Sequence, residues 1–483
     1  MQFLVVQRVL GMLLIIFSSS LIPPYLVGLF YQDGATQPFI QAFIITVTCG
    51  LLLFLPVRTQ KKELRLRDGF MVVVLFWTVL GIAGSLPLYL SGIYDISITD
   101  AIFESMSGLT TTGATVITGI DEMPHSLLFY RQELQWLGGM GIIVLAVAVL
   151  PMLGIGGMQL YRAETPGPVK DTKLTPRITE TAKALWFIYM SLTVGCALAY
   201  WMAGMSKFDA VSHAFSTVAI GGFSTHDASI GYFDSTAIEL VAVVFMLLSG
   251  INFAVHFVAF RNKSLKPYWR DAEFRTYVSV LLVVSFITIG YLHFTKTFDS
   301  TAESIIEGLF QVVSIGTTTG FTTADYYAWP GFLPVLLLYV SFIGGCAGST
   351  GGGIKVIRVL LLVKQGVREL KRLIHPAAQI VVKIGKKPLP ENVIEAVWGF
   401  FAAYFAILAL MVLLLMASGL DQETAFSAVA ACLNNLGPGL GGVGQNYAEI
   451  NDFAKWVLSL AMLLGRLEIF TLLVLFTPGF WRK

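Results

Sequence analysis

Charge is what this chain has least of. Only 13% of its 483 residues are Asp, Glu, Lys or Arg, where soluble domains carry about 25%. With 55% hydrophobic residues and a mean hydropathy of +0.74, this scarcity excludes a soluble globular protein and leaves an all-α polytopic membrane protein. Cysteine is scarcer still. Cys49, Cys196, Cys346 and Cys432 lie in or beside apolar runs without paired spacing, so they read as small core residues, with neither disulfides nor a metal site. His213, His226, His256 and His293 also lack metal-ligand spacing and read as local hydrogen-bonding residues. No catalytic constellation and no phosphate loop is present, so an enzyme is not expected. No small-residue cleavage site follows the apolar run behind Arg8, which continues through Pro23-Pro24. It reads as a retained helix and not a signal peptide.

The few charges are unevenly placed. Arg58, Lys61, Lys62, Arg65 and Arg67 form one basic cluster, and Arg162, Lys170, Lys173, Arg177 and Lys183 a second. Arg261, Lys263, Lys266, Arg270 and Arg275 form a third, Lys355 to Lys387 holds nine more, and Arg482 and Lys483 end the chain. The connections between clusters carry almost none, Lys207 and Lys296 being the clearest. They are acidic instead: Asp95, Asp100, Asp121, Glu122, Asp227, Asp234, Asp299, Asp325, Asp421, Glu449 and Asp452. Basic loops stay in the cytoplasm, which puts both termini inside and the acidic connections outside. A negative mouth concentrates cations at a pore. Topology alone also keeps basic residues out of outer loops, and both readings stand.

Ten apolar runs are long enough to span, near 9–30, 38–56, 70–90, 132–153, 178–203, 236–260, 274–294, 331–363, 391–418 and 453–478. The first two form a hairpin. The other eight pair into four units of outer helix, re-entrant segment and inner helix. The re-entrant segments end in Thr110-Thr111-Thr112-Gly113, Ala219-Ile220-Gly221-Gly222, Thr317-Thr318-Thr319-Gly320 and Asn434-Asn435-Leu436-Gly437. Thirteen residues before each aligned glycine stand Asp100, Asp209, Glu307 and Thr424. Each unit crosses twice, so the repetition is parallel, unlike the inverted repeats of many secondary transporters. Irregular backbone at membrane depth survives only where protein buries it or where it lines a watery path. Rings of backbone carbonyls fed by short helices make cation filters, and the negative ends of those helices would face the cation. The pattern points to an ion pore made from one chain. Glu104 and Glu307, in the re-entrant helices, either shape the ion's electrostatics or brace neighbouring helices.

Four loops, together with Leu134-Gln135-Trp136-Leu137-Gly138-Gly139-Met140-Gly141, Gly221-Gly222-Phe223-Ser224-Thr225-His226-Asp227 and Gly344-Gly345-Cys346-Ala347-Gly348-Ser349-Thr350-Gly351-Gly352-Gly353, carry a resemblance. The chain resembles the Trk/Ktr/HKT superfamily of potassium transporters, and closely resembles its bacterial TrkH branch, over essentially its whole length. The resemblance implies potassium as the permeant ion, held at Thr110 to Gly113, Ile220 to Gly222, Thr317 to Gly320 and Asn434 to Gly437. It further implies a homodimer in the bacterial inner membrane and a cytoplasmic TrkA-type subunit that binds NAD or ATP. No organic cofactor and no nucleic acid is implied. The fourth loop, with Pro438 after its glycine and no threonine, departs most from the pattern.

The run Gly344 to Gly353 (Gly344, Gly345, Gly348, Ser349, Thr350, Gly351, Gly352 and Gly353 among its residues) interrupts the third inner segment. A helix is costly there, at about 1 kcal/mol per glycine relative to alanine, so two half-helices with a flexible link are expected. The resemblance reads the link as a gate. Small-residue helix packing is the alternative; a phosphate loop fails because Ile354 intervenes before Lys355. Arg466 lies deep in the last apolar segment, where a cation costs about 2.5–3.5 kcal/mol. The resemblance reads it as a pore-facing barrier; a buried structural pair is the other reading. Glu468, two residues on, faces elsewhere. The basic stretch Lys355 to Lys387, with Arg368, Lys371 and Arg372, is either a membrane-surface anchor or a docking face.

The expected organisation is a hairpin over 1–60 and repeats over 61–160, 161–265, 266–385 (with the link at 344–353) and 386–483. The rivals are a sodium-permeable member of the same family, a secondary transporter of a small organic solute and a non-transporting anchor. The organic-solute reading predicts broken helices at matching positions of two halves, and the sequence shows such a break in the third unit alone.

Overall fold

The computed structural model describes residues 2–60, 65–152, 178–385 and 387–482. Lys61 and Lys62 of the first basic cluster, and all of the second except Lys183, lie outside these residues. Among the described residues the fold is helical apart from loops and one two-residue antiparallel ladder, Lys383–Ile384 with Lys387–Pro388. Six helices among the described residues are long and apolar enough to cross a membrane: Phe3–Tyr31, Thr36–Val57, Arg67–Leu90, Lys183–Met202, Ala272–Phe294 and Glu391–Ala417. The first two make the N-terminal hairpin. They cross where Gly11 and Gly50 face each other, and a Cβ on either would stand about 3 Å from the other helix's backbone (2.7 Å from Phe54 N, 2.9 Å from Gly11 O). Small residues let helices without a hydrophobic driving force approach this closely.

Each of the four units follows with an outer helix, a short loop helix and an inner helix. Unit 1 has Leu66–Leu90, Ile98–Leu109 and His125–Met152; unit 2 has Ile178–Met202, Lys207–Ala219 and Thr236–Ser249. Unit 3 has Ala272–Phe294, Thr301–Gly316 and Leu333–Ile343; unit 4 has Glu391–Ala417, Gln422–Leu433 and Asp452–Arg466. The loop helices hold 12, 13, 16 and 12 residues, about 18–24 Å at 1.5 Å per residue. That is short of the roughly 30 Å hydrocarbon core.

All four loop helices start alike. Ser97, Ser206, Ser300 and Asp421 accept a hydrogen bond from the backbone N–H three residues on, at Asp100, Asp209, Glu303 and Thr424. Such caps satisfy an otherwise orphaned donor. The third cap corrects an expectation. Its helix starts one turn earlier, so Glu303 and not Glu307 is the counterpart of Asp100 and Asp209.

The inner helices correct a second one. All four break, not the third alone. Unit 1 kinks at Gly141 (φ 61°, ψ 177°). Unit 2 bends by 92° between Ser249 and Phe253, and unit 4 by 105° between Arg466 and Phe470. Unit 3 leaves its helix at Gly344 and resumes at Val356–Ile374. The runs 236–260 and 453–478 are therefore bent elements and not straight spans. Counted from the loop glycine, the breaks begin 28 residues on in unit 1 (113 to 141) and in unit 2 (222 to 250), 24 in unit 3 (320 to 344) and 30 in unit 4 (437 to 467). One break per unit at nearly one register is fourfold repetition, not the pairing of two halves that an inverted transporter shows.

Candidate functional site: a ring of four glycine loops

The loop helices end as they begin, by one repeated device. Thr111, Ile220, Thr318 and Asn435 take left-handed φ of 56°, 55°, 68° and 53°. Their N–H groups bond the carbonyls of Gly108, Thr217, Ile315 and Cys432 at 3.0–3.2 Å. The next N–H, of Thr112, Gly221, Thr319 and Leu436, reaches back to Ser107, Ser216, Ser314 and Ala431 at 2.7–2.8 Å. This is the double-bonded left-handed helix ending that glycine usually makes. Here β-branched Thr and Ile occupy the left-handed position in three of the four loops, where they are outliers. Strain of this kind clusters at functional sites.

Two residues later the backbone turns left-handed again, at Gly113, Gly222, Gly320 and Gly437 (φ 82°, 80°, 83° and 98°). Alternation of left- and right-handed residues turns successive N–H groups to one side, and successive carbonyls to the other. A Cβ on Gly113 would collide with the carbonyl oxygen of Gly221, one on Gly222 with that of Thr319, one on Gly320 with that of Leu436, and one on Gly437 with that of Thr112. Each glycine thus abuts the residue before the next unit's glycine, and the fourth abuts the first. The four loops close a ring. The C-terminal ends of four buried helices, the negative ends of their dipoles, feed it.

The residues from Gly344 to Lys355 lie across one side of this ring, touch units 2, 3 and 4 directly, and are tied to unit 1 through Arg466. Gly352 N donates to Thr318 Oγ1 at 2.7 Å, and Gly353 N to the Asn434 carbonyl at 2.9 Å. Thr350 Oγ1 donates to the Val218 carbonyl at 3.0 Å. Arg466 completes the set: Nη1 donates to Thr111 Oγ1 at 3.2 Å and to the Thr350 carbonyl at 3.4 Å, and Nη2 to the Gly138 and Gly139 carbonyls. The freed backbone of the third break is thereby satisfied, as membrane depth requires. Gly344 packs against Gly352 and Gly353, while near Gly345, Gly348 and Ser349 Cys346 N donates to Gly250 O at 2.9 Å and Phe253 N to Gly348 O at 3.0 Å. The third break is stitched to the second.

The sequence and the fold can now be set beside known proteins. A family model described as "TrkH: Cation transport protein" matches residues 35–483. The chain belongs to the TrkH family. It is 60% identical over 485 residues to the Trk system potassium uptake protein TrkH of Vibrio parahaemolyticus, covering all of both chains. It is 57% identical over 483 residues to the protein of that name in Escherichia coli K12, again over all of both. The crystal structure of the potassium transporter TrkH from Vibrio parahaemolyticus overlays this fold with a TM-score of 0.91 at 57% identity, covering 100% of each chain. The all-α polytopic membrane fold follows from that match.

Arg466 and Glu468 are not partners within this family member's core. Glu468 pairs with Arg358, whose Nη1 also donates to the Ile354 carbonyl at 3.0 Å, while Lys355 Nζ reaches the Gly351 carbonyl. Lys355, Arg358 and Arg368 are all buried, and Arg368 lies 3.3 Å from Glu391. Part of the stretch read as a basic surface is therefore turned inward. Lys364, Lys371 and Arg372 remain on the outside of Val356–Ile374.

The alternatives for Glu104 resolve toward bracing. Its carboxylate accepts from Arg131 at 2.8 Å, from Thr115 Oγ1 at 3.0 Å and from Val116 N at 3.0 Å, which holds the strand leaving the ring. Nine residues before the ring glycine in units 2 and 3, His213 Nε2 meets Ser224 Oγ at 2.9 Å and Gln311 Nε2 donates to Ala324 O at 3.2 Å. Three different side chains do one job. Glu307 instead accepts from Thr323. At the acidic end His226 meets Asp121 at 2.5 Å and Asp209 at 3.5 Å. Asp227 accepts from the backbone of Gly119 at 3.1 Å and Asp121 at 3.3 Å, so several of those acids clasp units 1 and 2 together. Sequence reasoning missed Arg131 and Gln132, and named Gln135 only within the motif that carries the resemblance; all three link unit 1 to the second loop.

Proposed function

We propose that this chain is the ion-conducting subunit of a potassium uptake system in the bacterial inner membrane. The observation that carries the reading is the closed ring in which each loop glycine abuts its neighbour's carbonyl. Backbone carbonyls can replace the water shell of an alkali cation without adding fixed charge, and the relatives are named as potassium uptake proteins. On this reading the filter comprises Thr110 to Gly113, Ile220 to Gly222, Thr317 to Gly320 and Asn434 to Gly437, with potassium as their ligand. The bridge from Gly344 to Gly353, held by Arg466, blocks the path on the far side and is the gate. A cation at Arg466 repels a permeating cation, and its hydrogen bonds to unit 1 and to Thr350 hold the bridge shut.

The basic end faces the cytoplasm, with both termini there. The helix Val356–Ile374 presents Val363, Val367, Leu370 and Ile374 beside Lys364, Lys371 and Arg372. This suits a surface contact with a TrkA-type nucleotide-binding subunit, and the functional unit is a homodimer. The test is flux into liposomes bearing the purified protein, with potassium, rubidium, sodium and an amino acid compared. Potassium and rubidium uptake well above sodium is expected; uptake of the organic solute without cation preference would overturn the proposal.

A further inference from the structure

The second loop lacks the side chains that brace the other three. In the first and third, hydroxyls three residues and one residue before the ring glycine bond each other: Thr110 to Thr112 at 2.8 Å and Thr317 to Thr319 at 2.7 Å. The fourth uses amides. Asn434 Nδ2 donates to Ser341 Oγ at 3.0 Å, and Asn435 Nδ2 to Thr112 Oγ1 at 3.0 Å and the Met462 carbonyl at 2.9 Å. The second loop has Ala219 and Gly221 at the threonine positions, with no side-chain polar atom at either.

Its brace comes from the neighbouring unit. Gln135, on the inner helix of unit 1, donates Nε2–H to the Gly221 carbonyl at 2.6 Å and accepts at Oε1 from Phe223 N–H at 3.0 Å. The two bonds flank Gly222, and only one orientation of the amide can make both. A Cβ on Gly221 would overlap Gln135 Cδ and Oε1. The amide thus fills the space into which a threonine side chain would project, which is why the residue before the glycine is itself glycine in this loop. Gln132 Nε2 donates to Phe223 O at 3.2 Å, Arg131 Nη1 donates to Ser224 O at 3.2 Å, and the guanidinium lies 4.3 Å over the Phe223 ring. All three are fully buried. Six residues before the break, where unit 1 has Gln135, the other inner helices carry Val244, Leu338 and Ala461. The polar clamp belongs to this seam.

We infer that Gln135 is a positioning residue for ion discrimination. By fixing the Gly221 carbonyl it sets the second quarter of the ring, in place of the hydroxyl pair used in the first and third loops. The inference rests on the ring being the ion path. A carbonyl oxygen has two lone pairs; Gln135 takes one and leaves the other for the cation.

The experiment compares potassium, rubidium and sodium flux in liposomes for wild type, Gln135→Ala, the isosteric Gln135→Glu, and Gly113→Ser as a reference. Gln135→Glu preserves volume but loses the donor to Gly221. The preference for potassium over sodium should fall about tenfold in both Gln135 variants, the scale expected for unmaking buried hydrogen bonds, with potassium flux retained. Adding Ala219→Thr and Gly221→Thr to Gln135→Ala rebuilds the hydroxyl pair and should recover most of the preference. Wild-type selectivity in Gln135→Ala and Gln135→Glu, with selectivity lost in Gly113→Ser, overturns the role of Gln135 and leaves the ring standing. Selectivity retained in all three, Gly113→Ser included, overturns the ring reading as well.

Discussion

In the ring layer, every unit ends its loop helix with the same two hydrogen bonds, the same pair of left-handed residues and a glycine pressed on its neighbour's carbonyl. In the layer of helix breaks beneath, the same four units part company. Unit 1 kinks at one glycine, units 2 and 4 turn through 92° and 105°, and unit 3 opens into the long bridge. On the proposed reading, the difference follows from what each layer must do. Coordinating one ion from four sides requires equivalent oxygens, so backbone geometry is kept while side chains drift from Thr to Ala to Asn. Closing a path requires only one element that crosses it. A single long, glycine-rich break suffices, provided its backbone groups find partners on the other units.

The comparison breaks first at the ring glycines. Gly113→Ala or Gly320→Ala adds a Cβ at positive φ, with strain of about 1–3 kcal/mol, and drives it into a neighbouring carbonyl. Potassium-over-sodium preference is expected to collapse toward parity, read from isotope flux, whereas alanine at the half-buried Gly366, where a Cβ meets nothing within 4 Å, should change nothing. Removing a brace is the next largest test. Arg131→Ala leaves Glu104 buried without its cation, a loss of about 3–5 kcal/mol, and should lower the thermal unfolding midpoint of the detergent-solubilised protein by many degrees. Replacing both partners, Arg131→Met with Glu104→Gln, should recover much of that stability. An Arg131→Ala midpoint equal to wild type would show that the ring needs no such brace.

The smallest effect concerns the acidic end. Burial favours neutral His226, but its hydrogen bonds to Asp209 and Asp121 outweigh that and raise its pKa. A raised histidine pKa contributes stability that is complete below the unfolded value of about 6.5 and is lost as pH rises through the folded value. The clasp between units 1 and 2 should therefore weaken above neutrality. The expected result is a slightly steeper decline of unfolding temperature from pH 6 to pH 9 in wild type than in His226→Gln; parallel curves would remove the charge from the account.

The ring was legible from sequence because a positive φ beside a neighbouring backbone admits little but glycine, and four glycines at fixed offsets are hard to produce otherwise. Offset alone pairs Glu307 with Asp100, because it does not show the extra turn of the third loop helix. The breaks in units 2 and 4 left almost no trace. The short Gly250-Ile251-Asn252, whose Asn252 caps the helix that follows, sits inside an otherwise apolar run, and at the fourth break Glu468 and Ile469 are left-handed (φ 53° and 56°) with no glycine between the helices. An Ile in that region is an outlier no propensity anticipates; tertiary contacts, including the Arg358–Glu468 pair, hold it. Arg131 had a usable signal, since an ionisable residue at the edge of an apolar run is a functional candidate. It stands one residue outside the apolar run that begins at 132, and so falls on no span.

The central claim is that selection and closure are separate, one made by the ring and the other by the bridge that Arg466 ties to it. Potassium and sodium flux through Arg466→Ala, measured without any partner subunit, tests this most directly. Loss of charge-assisted hydrogen bonds worth about 1.5–3 kcal/mol each should raise basal potassium flux at least on the order of tenfold, with the potassium-to-sodium ratio unchanged. A normally folded Arg466→Ala protein with wild-type basal flux, or one whose selectivity falls as its flux rises, would contradict the account.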